Sequence, residues 1–152
     1  MRPSSNIGTR LLYQNILVAN DGSEGARKAL VAAIELAQIY EAELHVMTVE
    51  EHLSQHQGSV ISGELRPKAQ ADEYLQSAMI QTGLTATASR VRLTPHALAG
   101  HEVETIVTFI GEHRVDLLVV GFMGYSTIFG HEWGSTSQNL MRLAPCAVLV
   151  AK

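Results

Sequence analysis

Hydrophobic and polar residues follow two patterns along the chain: short apolar runs, and apolar positions spaced three to four residues apart. Residues 15–19 (Asn-Ile-Leu-Val-Ala) form a short run rich in branched side chains, which predicts a strand buried on both faces. Residues 21–24 (Asp-Gly-Ser-Glu) then supply turn and helix-capping chemistry. The next apolar positions recur every three to four residues, as they do on one face of a helix: Ala26, Ala29, Leu30, Ala33, Ile34 and Ala37.

The same alternation of short apolar runs and helical periods continues to residue 150. Strands are predicted at residues 15–19, 43–49, 86–93, 116–120 and 145–150. Helices are predicted over residues 24–37, 67–83, 100–113 and 135–143. Because a helix separates each pair of strands, the predicted fold class is α/β: a single-domain, open, mostly parallel five-stranded sheet with helices on both faces.

The length of 152 residues fits one domain. Residues 1–12 are expected to form a flexible N-terminal tail and residues 13–152 the folded domain. Residues 50–66 are polar and without a period, so a mobile connection is expected there.

Charge and composition exclude several classes of partner. Charged residues make up 17% of the chain, the net charge is −4, and no stripe of Lys and Arg occurs, so no nucleic-acid partner is expected. No apolar stretch approaches the ~20 residues that span a bilayer, so no membrane partner is expected either. Cys146 is the one cysteine, and a buried, inert thiol is its expected state. These features together favour a cytoplasmic protein.

A glycine pattern follows the fourth predicted strand. Gly121 and Gly124 are separated by two residues, and nine more residues precede Gly134-Ser135, where the last helix is predicted to begin. Glycines leave backbone N–H groups approachable, and a helix start offers unpaired donors and partial positive charge. The hydroxyls of Ser135, Thr136 and Ser137 add donors. A phosphate-binding loop is one interpretation; ordinary turns and helix caps are the other, and the pattern alone does not decide between them.

Taken with three further segments, this pattern resembles the universal stress protein family. Its ATP-binding members carry the same glycine spacing followed by Ser or Thr. Residues 16–24 (Ile-Leu-Val-Ala-Asn-Asp-Gly-Ser-Glu), residues 44–46 (Leu-His-Val) and residues 144–150 (Ala-Pro-Cys-Ala-Val-Leu-Val) also resemble its strands and turns. The resemblance covers residues 14–151 and implies a Rossmann-like fold of the adenine nucleotide alpha hydrolase type.

The resemblance also implies a binding site for ATP, with ADP or AMP as alternatives, together with Mg²⁺. Asp21, with Ala19 and Asn20, would lie against the base and ribose, and the backbone of Val46 would meet adenine. The phosphates would be held by Val120, Gly121, Met123, Gly124, Gly134, Ser135 and Thr136.

The phosphate loop departs from the family pattern in charge. Phe122-Met123 replaces small, polar or basic residues, and no Lys or Arg occurs from residue 121 to residue 141. Weaker nucleotide binding is therefore expected than in a relative with a basic loop. The alternative function is a protein-interaction module that binds no nucleotide and uses the apolar side chains of residues 122–133: Phe122, Met123, Tyr125, Phe129 and Trp133.

The sequence contains no recognisable set of catalytic residues. The sequence has no Gly-Lys pair of a Walker A loop, no G-x-G-x-x-G and no G-x-S-x-G. Among the seven histidines only His52 and His56 are four apart, so no metal site is predicted. A sensor or regulator, with slow ATP hydrolysis at most, is the expected activity.

The last apolar strand is expected to pair with a second copy of the chain. If residues 146–151 form a sheet edge, their backbone groups need a covering partner. A homodimer through this strand, which the resemblance also implies, would provide it.

Overall fold

A computed structural model describes residues 12–51, 64–84, 88, 90–122 and 135–152. In chain order its elements are β1 (Asn15–Ala19), α1 (Glu24–Tyr40), β2 (Glu43–Glu50), β3 (Glu64–Leu65), α2 (Lys68–Thr82), β4 (Arg92–Ala99), α3 (Glu102–Glu112), β5 (Leu117–Gly121), α4 (Ser135–Leu143) and β6 (Ala147–Ala151). The predicted α/β architecture is confirmed.

Described strands form one sheet in the order β3-β4-β2-β1-β5-β6. All neighbouring pairs are parallel except β3 with β4, which is antiparallel. The chain proceeds from β1 outward through β2 to β4, and then returns to the other side of β1 as β5. The direction of strand order therefore reverses between β1 and β5, the place where ligands bind in open α/β sheets.

Both faces of the sheet are covered, as predicted. Ile16 and Val18 point to one face and pack in a core cluster with the buried side of α1. Leu17 points to the other face and packs with Ile106 of α3 and Leu140 of α4. Side chains of successive strand residues point to opposite faces, so the short β1 run contributes to both cores.

The helix ends follow the local sequence. Ser23 caps α1, because its Oγ accepts a hydrogen bond from the Ala26 N–H at 3.1 Å. Gly83 ends α2 in a left-handed conformation with φ +68°. Pro67 immediately precedes α2, where its missing N–H costs nothing.

The bounds of one predicted strand were wrong, and one short strand was not predicted. The third predicted strand, residues 86–93, is instead β4 at Arg92–Ala99, in register with all eight residues of β2 from Glu43 to Glu50. Pro95 lies inside β4. Because proline removes a ladder donor and is rare in strand interiors, the sequence of this segment does not look like that of a strand. In addition, the structure has a sixth strand, β3, inside the stretch expected to be a mobile connection. Two residues are too few to produce a periodic signal.

Candidate functional site

The carboxyl end of β1 is tied to that of β2 through Asn20. Its backbone N–H donates to the Met47 carbonyl at 2.8 Å, and its Nδ2 lies 3.5 Å from the Thr48 hydroxyl. Its Oδ1 accepts from the Gly22 N–H at 3.2 Å. This buried side chain therefore fixes the positions of two strand ends at the site.

Asp21 follows as an exposed carboxylate at the same edge. Its Oδ1 accepts from the Ser23 N–H at 2.8 Å, while Ser23 itself caps α1. Gly22 between them has φ +79°, a conformation that favours glycine. Asp21 thus stabilises the turn before the helix and leaves the cap to Ser23.

The carboxyl end of β5 touches the first turn of α1. A Cβ added to Gly121 would lie 2.5 Å from the carbonyl carbon of Gly25. The Gly121 carbonyl accepts a hydrogen bond from Ser137 Oγ at 2.6 Å. Ser137, one of the hydroxyls considered for phosphate, is buried and joins β5 to α4.

The structure brings most described members of the predicted site to one edge of the sheet. Ala19, Asn20 and Asp21 lie at the end of β1, Val120 and Gly121 at the end of the neighbouring β5, and Thr136 in the first turn of α4. Met123, Gly124 and Gly134 lie outside the described residues, as does the side chain of Ser135.

Val46 lies deeper in the sheet than the other members. It is buried inside β2, in register with Val18 and Pro95, whereas Met47 is the residue that pairs with Ala19. The side chain that β2 brings to Asn20 is Thr48, which the sequence prediction did not include. A backbone contact between Val46 and adenine remains a prediction.

A second acidic residue, missed from the sequence, lies at this edge. Glu102 begins α3, and its N–H donates to Glu51 Oε1 at 3.2 Å. Its carboxylate accepts a side-chain hydrogen bond from Thr136. Burial, together with the charges of Asp21 and Glu51, raises the pKa of Glu102 to about 7, while the Thr136 hydrogen bond and His101 oppose the rise. The sequence carries little signal for this position, because the preceding strand is predicted to end at residue 93, whereas β4 ends at Ala99.

The described part of this edge is acidic. Asp21, Glu51 and Glu102 follow three neighbouring strands, and the sequence has no Lys or Arg from residue 121 to residue 141. In the described ranges no group of three His, Cys, Asp or Glu side chains is placed to hold a metal ion. Beside these three strand ends, a ligand anion must therefore rely on backbone donors, hydroxyls or a cation that it brings with it.

Three histidines meet at the opposite end of β2. His45 Nδ1 lies 3.0 Å from His96 Nε2, and the His113 ring centre is 6.2 Å from each of their ring centres. His113 stacks on Phe109, and a pocket of about 320 Å³ opens beside them. Burial lowers the pKa of His96 to about 4, helped by the two neighbouring imidazoles. The His52 and His56 pair lies outside the described residues.

The fold and the edge between β1 and β5 define a doubly wound, Rossmann-like α/β protein. Residues 12–152 match the model of the Universal stress protein family. Universal stress protein Rv1636 of Mycobacterium tuberculosis is 31% identical over 145 residues, which are 91% of this chain and 95% of the relative. The chain belongs to the universal stress protein family.

Solved structures agree on the fold. Universal stress protein UspA from Lactobacillus plantarum superposes with a TM-score of 0.71 at 24% identity, covering 92% of this chain and 98% of the other. A universal stress protein solved in complex with cAMP superposes with a TM-score of 0.65, also at 24% identity, covering 93% and 98%. Among the described helices, none is long and apolar enough to cross a membrane.

Proposed function

We propose that this protein is a cytoplasmic stress-response regulator that binds an adenine nucleotide where β1 and β5 end. The observation that carries the proposal is the contact between Gly121 and Gly25, which joins the end of β5 to the start of α1 at the topological switch point. Support also comes from the fold relative in complex with cAMP, itself an adenine nucleotide.

Each part of the nucleotide has a proposed contact. Asp21 meets the ribose, since a carboxylate accepts hydrogen bonds from hydroxyls. The start of α4, with the Thr136 hydroxyl, meets the phosphates through N–H groups and the helix dipole. Any Mg²⁺ arrives with the nucleotide, whose phosphates supply oxygen ligands. The protein acts by sensing the ligand, with slow hydrolysis at most.

Removing one hydroxyl tests the phosphate contact. Thr136→Val is expected to weaken binding of ATP by about 5- to 30-fold, because one hydrogen bond to a charged group contributes roughly 1–2 kcal/mol. Isothermal calorimetry with ATP, AMP and adenosine measures the change. Adenosine affinity is expected to stay unchanged, since it has no phosphate.

The matched control is Thr108→Val, the same substitution on the exposed face of α3. It is expected to bind ATP as the wild type does. Mass spectrometry of denatured, freshly purified protein is expected to show a co-purified adenine nucleotide. No heat at millimolar nucleotide and no co-purified ligand would overturn the proposal in favour of the interaction module at residues 122–133.

We also propose that the protein forms a homodimer through β6. This strand is the outer one on its side of the described sheet. The Ala151 carbonyl accepts from the Phe122 N–H at 2.8 Å, so Ala151 directs its backbone groups toward the β5 side. Because these groups alternate along a strand, those of Val148 and Val150 point the other way, toward a partner strand.

Val150→Pro is expected to convert dimers to monomers without unfolding the protein. Proline removes the N–H that points away from β5 and leaves the β5 ladder its donors. Analytical ultracentrifugation measures the mass, and circular dichroism monitors the fold. Val150→Thr, which keeps the N–H, is the control and is expected to remain dimeric. A wild-type monomer at micromolar concentration would count against the proposed interface.

A further inference from the structure

We infer that Lys152 is the cation of the proposed phosphate subsite and that the ring of Phe122 positions it. The inference rests on the proposed function, and it names the substrate class that the site prefers: adenine nucleotides with a di- or triphosphate tail rather than a monophosphate. Residues 121–141 contain no Lys or Arg. The structure brings a lysine to the beginning of this stretch from the end of a different strand, β6.

Phe122 and Lys152 lie side by side just beyond the sheet. β5 and β6 are parallel neighbours, so their carboxyl ends meet at the same edge. Gly121 pairs with Ala151, and the Phe122 N–H donates to the Ala151 carbonyl at 2.8 Å. The Lys152 ammonium lies 5.2 Å from the centre of the Phe122 ring, within the roughly 6 Å over which a ring face attracts a cation. The ring therefore holds the ammonium beside the start of the glycine-rich segment.

Both side chains belong to the face of the sheet that α4 covers. Val120 of β5 and Val150 of β6 pack in the core cluster that contains Leu140 of α4. Strand side chains alternate between the two faces, so the residues two positions further along each strand return to this face. These residues are Phe122 and Lys152. The ammonium is therefore on the side of the sheet from which α4 begins.

The first turn of α4 is within reach of Lys152. Ser137 Oγ donates to the Gly121 carbonyl at 2.6 Å, which places this turn directly against the end of β5. Thr136, the proposed phosphate contact, is in the same turn. Lys152 follows the neighbouring strand, about 4.8 Å away in a sheet, a distance that the four-carbon stem of lysine spans. Lys152 is exposed, so its ammonium can turn toward a phosphate tail without a burial cost.

The charges along this edge favour longer phosphate tails. Asp21 and Glu51 follow β1 and β2 and make that part of the edge negative, whereas Lys152 adds a positive charge beside β5. Each further phosphate group adds negative charge near the ammonium, so the attraction is greatest for a triphosphate and smallest for a monophosphate. Mg²⁺ bound to the tail neutralises part of this charge and reduces the difference.

The test compares wild type with Lys152→Met by isothermal calorimetry at low salt, using Mg²⁺-free ATP, AMP and adenosine. Lys152→Met is expected to bind ATP about fivefold more weakly, the upper end for a solvent-exposed charge pair, and AMP about twofold more weakly or less. Adenosine affinity is expected to stay unchanged. Because salt screens exposed charges, the difference for ATP is expected to shrink at about 0.5 M NaCl. Lys152→Arg keeps the charge and is expected to bind ATP as the wild type does.

Phe122→Leu tests the positioning role of the ring. The variant keeps an apolar side chain and removes the ring face, so ATP binding is expected to weaken about twofold. Adding Phe122→Leu to Lys152→Met is expected to cause no further loss, because the ring acts through the ammonium. Additive losses in this double-mutant cycle would overturn the positioning role.

Lys68→Met is the matched control, since it removes the same charge from an exposed lysine at the start of α2, which packs against β4. It is expected to keep the wild-type affinities. Equal ATP binding by wild type and Lys152→Met would overturn the inference and leave the proposed site standing. An equal loss for ATP and adenosine, or the same loss in Lys68→Met, would also overturn it, because the effect would not come from a phosphate contact. No binding of any nucleotide by the wild type would instead overturn the proposed function.

Discussion

Gly121→Ala is expected to lower the free energy of unfolding by about 3 kcal/mol, at the upper end of the usual cost of overpacking. The added Cβ would lie 2.5 Å from the carbonyl carbon and 2.6 Å from the carbonyl oxygen of Gly25. Both neighbours are backbone, so no flexible side chain can turn away. Either the end of β5 or the first turn of α1 must shift. Urea denaturation followed by circular dichroism measures the loss.

Gly111→Ala is the matched control. Gly111 lies in α3, and a Cβ there meets nothing within 4 Å. Alanine is the better helix former, so a gain of about 0.5–1 kcal/mol is expected. If Gly121→Ala unfolded at the wild-type urea concentration, the contact between β5 and α1 would not be close in solution, and the proposed binding edge would lose its geometry.

A pH-dependent loss of stability is expected from the histidine cluster. In the unfolded chain His96 takes up a proton near its ordinary pKa of 6.5, whereas in the folded protein its pKa is lowered to about 4. Between these values the unfolded state binds more protons, so the contribution of His96 to stability falls as pH drops from about 6.5 to 4. The raised pKa of Glu102 acts in the opposite direction over much of this range, so the His96 contribution is the difference between wild type and a His96 variant. At higher pH both states hold a neutral ring, and this contribution is constant.

The size of the effect follows from the interval between the two pKa values. Each pKa unit corresponds to 1.36 kcal/mol, which sets an upper bound of about 3 kcal/mol, and partial solvent exposure reduces the expected loss to about 1–2 kcal/mol. His45, whose pKa is lowered by burial and by His113 while Glu43 acts against the shift, contributes in the same direction. Urea denaturation at pH 7.5, 6.5, 5.5 and 4.5 measures the slope.

His96→Gln is expected to remove the His96 part of that pH dependence and so to lose less stability than wild type between pH 6.5 and 4.5, since glutamine can hydrogen-bond to His45 without titrating. His101→Gln, at an exposed histidine outside the cluster, is expected to keep it. Identical slopes for wild type and His96→Gln would show that protonation of the cluster does not penalise the folded state.

The parts of the fold that the sequence predicts well are those with strong local signals. Residues 16–19 of β1 and 117–120 of β5 are apolar because helices cover both faces of these strands. Gly83 ends α2 because glycine readily adopts the left-handed conformation found there. β4 could not be predicted in this way. Its limits are set by pairing with β2, a tertiary interaction that outweighs the poor strand propensity of Pro95.

Local sequence signals also predict the positions of some residues at this edge of the sheet and not of others. The placement of Asp21 and Gly121 at one edge of the sheet could be predicted, because Asp21 follows β1 and Gly121 ends β5, on either side of the topological reversal. Glu102 looks in the sequence like an acidic residue in the first turn of a helix, where negative charge is common. Its burial depends on α4 lying beside α3, which no local pattern encodes.

The hydrogen bond from the Phe122 N–H to the Ala151 carbonyl extends the β5–β6 ladder one residue past Gly121. The outer strand β6 is therefore hydrogen-bonded to Phe122, the residue that leads from β5 into the glycine-rich segment. A second copy of the chain bound to β6 would restrain the backbone of Phe122 through this hydrogen bond, without contacting the ligand. Protein concentration would then change the measured dissociation constant, so nucleotide titrations belong on both sides of the dimerisation midpoint.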